Sequence, residues 1–195
     1  MKIGYAVEDS VHEGFLEGLK RKWCKEAELI PGAMRGSTRQ AIRREIRKTC
    51  LELRQKGAAL IVFLTDADNE TWEEVLKRER SYIPQNFNDI VIYAVASRNV
   101  ECWIALDAHH AAQKLNINVN ELGIEDPHGV IRNALHKIPR ETQDIIADIV
   151  ETMPMHRHLR QNNATAKSLK ALYEDARDCA QKLDCENFPN ELDST

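Results

Sequence analysis

The chain has 195 residues, of which 43% are hydrophobic, and a formal net charge of -4 at pH 7. This length and apolar fraction are enough for one domain with elaborations and a sizeable core. No stretch approaches the roughly 20 apolar residues of a membrane span, and the N-terminus lacks the apolar run of a secretory signal. Five cysteines without a Cys-x-x-Cys pair argue against a disulfide framework or a zinc ribbon. We therefore expect reduced thiols in a cytoplasmic protein.

Strand and helix patterns alternate through the first 115 residues. Strands are predicted at residues 2–7, at 29–30, from residue 60 up to Asp66, and at 90–96. Helices are predicted at about residues 12–23, 38–55, 70–80 and 100–114. This alternation indicates an α/β fold with a mostly parallel sheet flanked by helices.

After residue 115 the strand signal fades, and the remaining patterns are helical. Helices are predicted at residues 128–136, 141–151 and 165–183. We therefore divide the chain into an α/β domain at 1–115, a helical extension at 116–183 packed on it, and a tail at 184–195. The tail contains four acids and no basic residue, and we expect it to be disordered.

Three acids follow two of the predicted strands. Asp66 ends the most apolar strand and Asp68 follows two residues later, a step that puts both carboxylates on one side if the chain stays extended. Glu8 follows the first strand. Open α/β sheets place their sites at the carboxyl ends of strands, and carboxylates suit Mg²⁺ or Mn²⁺. The alternative reading is a solvated turn, because Asp is a favoured turn residue.

Residues 35–56 hold an excess of six positive charges within an acidic chain. Arg39, Arg43 and Arg47 lie four apart, on one face of the predicted helix, and Arg35 precedes it. Arginine pairs with phosphate in a fixed fork geometry, so this face is a candidate nucleic-acid surface. The ordinary alternative is a solvated helix face.

Motifs on these same elements resemble those of Toprim domains. The resemblance rests on Val7-Glu8 followed by Phe15-Leu16, on Thr65-Asp66-Ala67-Asp68, and on Arg98-x-x-Glu101-x-Trp103-x-x-x-Asp107. The last segment is similar to a small Toprim-like branch near the overcoming-lysogenisation-defect nucleases and the Toprim subunits of bacterial anti-phage systems. Two positions depart from the pattern: Asp9 replaces a glycine and His12 replaces an acid.

The resemblance implies a Toprim-like, Rossmann-like fold and an Mg²⁺-dependent (or Mn²⁺-dependent) nuclease. Carried over, Glu8, Asp66 and Asp68 hold the metal and take part in catalysis, and Glu101 is a further catalytic candidate. The resemblance also implies a role in anti-phage defence with an ATPase partner subunit. We keep two alternatives: a non-catalytic subunit that binds a partner protein or senses a phage component, and phosphoryl transfer on a small nucleotide. Homo-oligomerisation is left open.

Two pairs of histidines and two tryptophans are predicted to have no role in the site. The pairs His109-His110 and His156-x-His158 are not spaced to share a metal on a helix, so we expect them at the surface. Trp72 and Trp103 are expected to pack rather than to stack on bases.

Overall fold

The structure is a computed structural model that describes residues 1–34, 36–124 and 126–180. The predicted tail at 184–195 and Arg35 lie outside the described residues. The predicted α/β class is confirmed: a four-stranded, all-parallel sheet is flanked by helices, an arrangement consistent with a Rossmann-like fold.

The sheet has the strand order β2-β1-β3-β4. The strands are β1 (Lys2–Val7), β2 (Glu28–Pro31), β3 (Leu60–Asp66) and β4 (Val91–Ala96). Every residue of β3 is buried, as expected for a central strand covered on both faces. The parallel register pairs Val7 with Leu64 and Asp66 with Ala96, so the carboxyl ends of β1, β3 and β4 lie together at one edge.

Ten α-helices lie within the described residues. The first five are α1 (Ser10–Trp23), α2 (Arg39–Gln55), α3 (Trp72–Arg80), α4 (Val100–Ile104) and α5 (Ala108–Leu115). The second five are α6 (Val119–Ile124), α7 (Pro127–Leu135), α8 (Thr142–Thr152), α9 (Met155–His158) and α10 (Ala164–Ala180).

The helices form one layer on each face of the sheet, because alternate strand residues point to opposite faces. Side chains such as Val62 and Leu64 face a core shared with α1, α4, α7, α8 and α10. The intervening Ile61 and Phe63 face a second core built with α2 and α3. The helices predicted for the C-terminal extension therefore belong to the same core as the sheet, while the division at residue 115 stays a prediction.

Two details differ from the sequence prediction. The helix predicted at 100–114 is broken, because residues 105–107 form a 3₁₀ turn and the Asp107 carboxylate caps α5 by accepting from the His110 N–H at 3.1 Å. The short helix α6 was not predicted. The helices α2 and α4 begin within one residue of the predicted positions, and their N-caps are Thr38 and Asn99.

Within the described residues, no helix combines the length and the apolar character needed to cross a membrane. Cys50, Cys102 and Cys179 are not in disulfide bonds. Cys24 is in a disulfide bond, so the expectation that every cysteine is reduced is wrong at this residue.

Candidate active site at the carboxyl edge of the sheet

Glu8 and Asp66 meet because their strands are neighbours. Glu8 is the first residue after β1, and Asp66 is the last residue of β3. The Glu8 Oε1 atom accepts a hydrogen bond from the Asp66 backbone N–H at 2.8 Å. The structure therefore brings these two predicted site residues together at the carboxyl edge.

The Asp66 carboxylate faces the turn before α4 and the first turn of α1. Its Oδ1 atom lies 3.0 Å from His12 Nε2 and accepts from the Val100 backbone N–H at 2.9 Å. Oδ2 has no protein donor among the described residues. Asp66 is buried, with 8% of its surface exposed. Because both protein contacts are made by Oδ1, Oδ2 is left for a further partner.

His12 is buried beneath Asp66 and joins it to Asp9. The two ring nitrogens contact different carboxylates, Nε2 that of Asp66 and Nδ1 that of Asp9, the latter at 2.8 Å. Burial by itself lowers the pKa of His12, but the charges and hydrogen bonds of Asp66 and Asp9 outweigh it and raise the pKa to about 10. His12 is therefore a buried cation at neutral pH, and both nitrogens donate.

Asp9 is the N-cap of α1 and also an ion-pair partner. Its Oδ1 atom accepts from the backbone N–H groups of Val11 and His12, as an N-cap carboxylate should. Its Oδ2 atom accepts from Arg132 of α7. Burial tends to raise the pKa of Asp9, but bonding to His12 and Arg132 holds that pKa far below its usual value. Asp9, which replaces the glycine of the Toprim motif that the sequence resembles, thus connects α1 to α7 through an ion pair.

Glu101 is fully buried in the first turn of α4. Arg132 Nε donates to its Oε1 atom at 2.7 Å, and His128 Nδ1 lies 3.4 Å from the same oxygen. The Oε2 atom is buried with no hydrogen-bond partner. An acid at a solvated helix N-terminus is often explained by its favourable interaction with the helix dipole. That explanation does not account for Glu101, because Glu101 is buried and is contacted by two side chains of α7.

Asp68 takes a different direction from Asp66. Its φ of 55° lies in the left-handed region, and its N–H donates to the carbonyl of Arg98, whose φ is 66°. The extended geometry expected between Asp66 and Asp68 is therefore wrong. The Asp68 side chain is 63% exposed and lies 3.6 Å from Arg39 of α2. Two non-glycine residues in this sparsely allowed region store backbone strain at the edge.

The arginines of α2 divide into bound and exposed residues. Arg39 donates to the Asp66 carbonyl oxygen and to Glu70 Oε1, the latter at 2.7 Å. Arg43 lies 3.5 Å from the buried Glu79 carboxylate, whereas Arg47 is exposed. Of the predicted nucleic-acid face, Arg39 and Arg43 are largely held by acids of this chain.

The edge carries an excess of negative charge around Glu8. Burial raises the pKa of Glu8; the Asp66 N–H and the His12 charge partly offset this, and the charges of Asp66 and Asp68 add to it. Within the described part of the chain, no group of three or more His, Cys, Asp or Glu side chains is arranged to hold a metal ion. Mg²⁺ commonly uses one or two carboxylates, completed by water and substrate phosphate. Glu8 and Asp66 fit that smaller requirement.

Two further histidines have structural contacts. His110 Nε2 lies 3.0 Å from the Ile149 carbonyl oxygen, and His158 Nε2 lies 3.2 Å from Asp107 Oδ2. His158 is buried, so its expected surface position is wrong. Trp103 is buried and donates to Ser168 at 2.8 Å, which confirms its packing role.

The site contains three residues that were not among the predicted site residues: Asp9, His12 and Arg132. The first two were visible as departures from the Toprim motif next to Glu8. Arg132 carried no signal of its own, because its contacts with Asp9 and Glu101 span 123 and 31 positions along the chain. Compared with models of protein families, with curated proteins and with solved structures, the chain has no match.

Proposed function

We propose that the protein is an Mg²⁺-dependent or Mn²⁺-dependent phosphodiester hydrolase of Toprim type, acting on DNA or RNA. One observation carries the proposal: acids from two neighbouring strand ends, Glu8 and Asp66, meet at the carboxyl edge. Each has a carboxylate oxygen free of protein donors among the described residues. Asp68 adds a third acid close enough to influence the pKa of Glu8.

The donor set suits a hard divalent cation. Glu8 and Asp66 would hold the ion, and Asp68 would join them through water or after a change of side-chain rotamer. Such an ion, when bound, polarises the phosphate and lowers the pKa of its water. Burial raises the pKa of Glu8 and the charges of Asp66 and Asp68 add to the rise, and a divalent cation would offset both by favouring the ionised carboxylate.

The protein's own cations have a positioning role in this proposal. His12 and Arg132 fix Asp66, Asp9 and Glu101 by charge-assisted hydrogen bonds, which hold the edge in one geometry. Arg39 anchors the end of β3 through the Asp66 carbonyl. Asp66, Asp9 and Glu101 therefore need little rearrangement when a substrate phosphate arrives.

Cleavage of DNA, RNA and tRNA with Mg²⁺ or Mn²⁺ tests the proposal. We expect the Asp66→Ala, Asp68→Ala double variant to lose activity by at least about 100-fold, the scale of removing key electrostatic groups from an active site. The exposed pair Glu73→Ala, Asp89→Ala removes the same two charges elsewhere and should keep full activity. Cleavage that survives in the Asp66, Asp68 variant would reject this site.

A second candidate function has a specific observation in its favour. A buried histidinium already neutralises Asp66, and a site whose acids are satisfied internally could serve a non-catalytic subunit that binds a partner protein. A thermal shift with Mn²⁺ that disappears in Asp66→Ala favours the hydrolase. Stable association with an ATPase encoded beside it, without any cleavage, favours the second reading. The cytoplasmic location, the ATPase partner and the defence role remain part of the proposal.

A further inference from the structure

Only one of the two oxygens of the buried Glu101 carboxylate has a polar partner in the described part of the chain. The residue is fully buried, both of its described partners contact Oε1, and Oε2 has none. Leaving a buried acceptor unsatisfied costs about 1–3 kcal/mol, more for a charged group. A carboxylate with a purely structural role would gain by satisfying both oxygens, so this one is a candidate for a functional role.

Both partners of Glu101 come from the first turns of α7. His128 and Arg132 are four residues apart, so they lie on the same face of the helix. The other end of the Arg132 guanidinium binds Asp9. The His128 side chain is 43% exposed, whereas the carboxylate it contacts is fully buried.

We propose that His128 is a proton-transfer residue of the edge site and that Glu101 is its positioning residue. This inference rests on the proposed hydrolase function. A carboxylate beside Nδ1 favours the neutral tautomer with its proton on Nδ1, which leaves the lone pair on Nε2. His128 Nε2 has no hydrogen-bond partner among the described residues, so it is available to a water or a substrate oxygen.

The His128–Glu101 pair belongs to the same edge as Glu8 and Asp66. Val100, the residue before Glu101, donates its backbone N–H to Asp66 Oδ1. A second connection runs from Glu101 through Arg132, Asp9 and His12 to Asp66. Two separate sets of hydrogen bonds therefore fix the position of Glu101, and with it that of His128, relative to Asp66.

The proton balance of the step is simple. The oxygen of water forms a bond to phosphorus while its proton moves to His128 Nε2. The bond from phosphorus to the leaving oxygen breaks, and the leaving alkoxide takes a proton from solvent. His128 then returns its proton to solvent, so the residue is regenerated.

The charged groups on the elements around His128 set its environment. They are Glu101 from α4, Arg132 from α7, Asp9 from the turn after β1, and the pair Arg98 and Asp126, which are 3.5 Å apart. Of these, only the Glu101 carboxylate contacts the ring in the described part of the chain.

Two measurements on the full chain test the proposal. Long-range ¹⁵N–¹H NMR of the imidazoles, recorded without metal or substrate, should show His128 protonated on Nδ1 when neutral, and Glu101→Gln should abolish that preference. The second measurement is the pH profile of kcat on the substrate that the wild type cleaves. His128→Asn should reduce kcat by about 100-fold or more and remove the acid limb of the profile. His136→Asn, an exposed histidine at the other end of α7, is the matched control and should change neither.

The outcomes separate this inference from the proposed function. Wild-type cleavage with unchanged kcat in His128→Asn would overturn the role of His128 and leave the hydrolase standing. An Nε2-protonated tautomer in the wild type would overturn the positioning role of Glu101 whatever the activity. Absence of any wild-type cleavage would instead overturn the hydrolase, and with it the reaction that His128 serves.

Discussion

At the scale of single residues, the two departures from the Toprim motif form one charged connection. Asp9 caps α1 and binds both His12 and Arg132, and His12 passes the connection to Asp66. A buried ion network of this kind is costly to desolvate and strongly destabilising to break. Its effect is to hold Asp66 at a fixed position in the edge site.

The first prediction concerns the pH dependence of folding stability. The pKa of His12 is raised from 6.5 to about 10 in the folded chain. Its stabilising contribution is therefore fully present below the unfolded pKa of about 6.5 and is lost as the pH rises through about 10. The free energy of unfolding should fall over this window, by at most about 1.4 kcal/mol per pH unit for one proton.

Urea unfolding between pH 6 and 10 measures this slope. His12→Asn should be less stable near pH 6, because Asp9 and Asp66 lose their shared cation, and should lack most of the decline toward pH 10. His109→Asn, an exposed histidine, should retain the wild-type slope. Parallel curves for wild type and His12→Asn would contradict the assignment of His12 as a buried cation.

At the scale of the elements, the cations of α2 divide between two faces. Arg39 and Arg43 face acids of the edge and of α3, whereas Arg44, Arg47 and Lys48 are exposed. The exposed residues are spaced three and four apart, so they form a cationic stripe on the outer face. If the protein binds nucleic acid along α2, these side chains are better placed to contact phosphates than Arg39 and Arg43.

The second prediction is that this stripe sets the salt dependence of oligonucleotide binding. Each lost phosphate contact lowers the slope of log K against log salt by about 0.7 to 0.9. The triple variant Arg44→Gln, Arg47→Gln, Lys48→Gln should therefore lower the slope by about 2, measured by fluorescence anisotropy in EDTA. A control removes three exposed lysines of the C-terminal half: Lys114→Gln, Lys137→Gln, Lys167→Gln. Equal losses in both variants would mean that only net charge matters.

Close contact between α1 and α8 depends on two glycines. A Cβ atom on Gly14 would lie 2.6 Å from the Gln143 carbonyl oxygen, and one on Gly18 would lie 2.6 Å from the Val150 Cβ. Both distances are too short for real atoms, so a larger residue must push the helices apart. This contact joins the helix that carries His12 to the C-terminal helices.

The third prediction follows from this packing. Gly14→Ala should destabilise the protein by about 1–3 kcal/mol, because overpacking against backbone outweighs the better helix propensity of alanine. Gly129→Ala in α7 is the matched control, since a Cβ there meets nothing within 4 Å. It should be neutral or stabilising by up to about 1 kcal/mol. Chemical denaturation of the three proteins measures the difference, and a stabilised Gly14→Ala would refute the close packing.

At the scale of the whole molecule, the C-terminal helices complete the core that the sheet begins. Leu169 and Tyr173 of α10 are fully buried in the cluster that contains Leu64 of β3 and Trp103 of α4. The Ser168 hydroxyl also accepts hydrogen bonds from Trp103 Nε1 and from the Ser97 N–H. The sheet therefore has one of its faces covered only when these helices are in place.

The fourth prediction is that the described part of the chain unfolds in one transition. Leu169→Ala should lower the free energy of unfolding by about 2–5 kcal/mol. Tryptophan fluorescence and far-ultraviolet circular dichroism should shift together, because α10 and the sheet share a core. Lys167→Ala, exposed on the same helix, should have little effect. Two separate transitions would show instead that the helical extension is an independent unit.

The sequence by itself determined the α/β class, the four strands and the edge at which Glu8 and Asp66 meet. These follow from local signals: apolar runs define buried strands, and the carboxyl ends of parallel strands lie at one edge. The starts of α2 and α4, capped by Thr38 and Asn99, were also predictable to within a residue or two, because an N-cap depends on residues two or three positions away.

Only the tertiary structure decided how the site's charges are paired. His12 and Asp66 are 54 positions apart, and Arg132 and Asp9 are 123 apart, so no local pattern relates them. The left-handed turn at Asp68 and the capture of Arg39 by Glu70 likewise depend on neighbours from other elements. The physical reason is that backbone periodicity is a short-range property, whereas the partner of a charged side chain is chosen by the packing of distant elements.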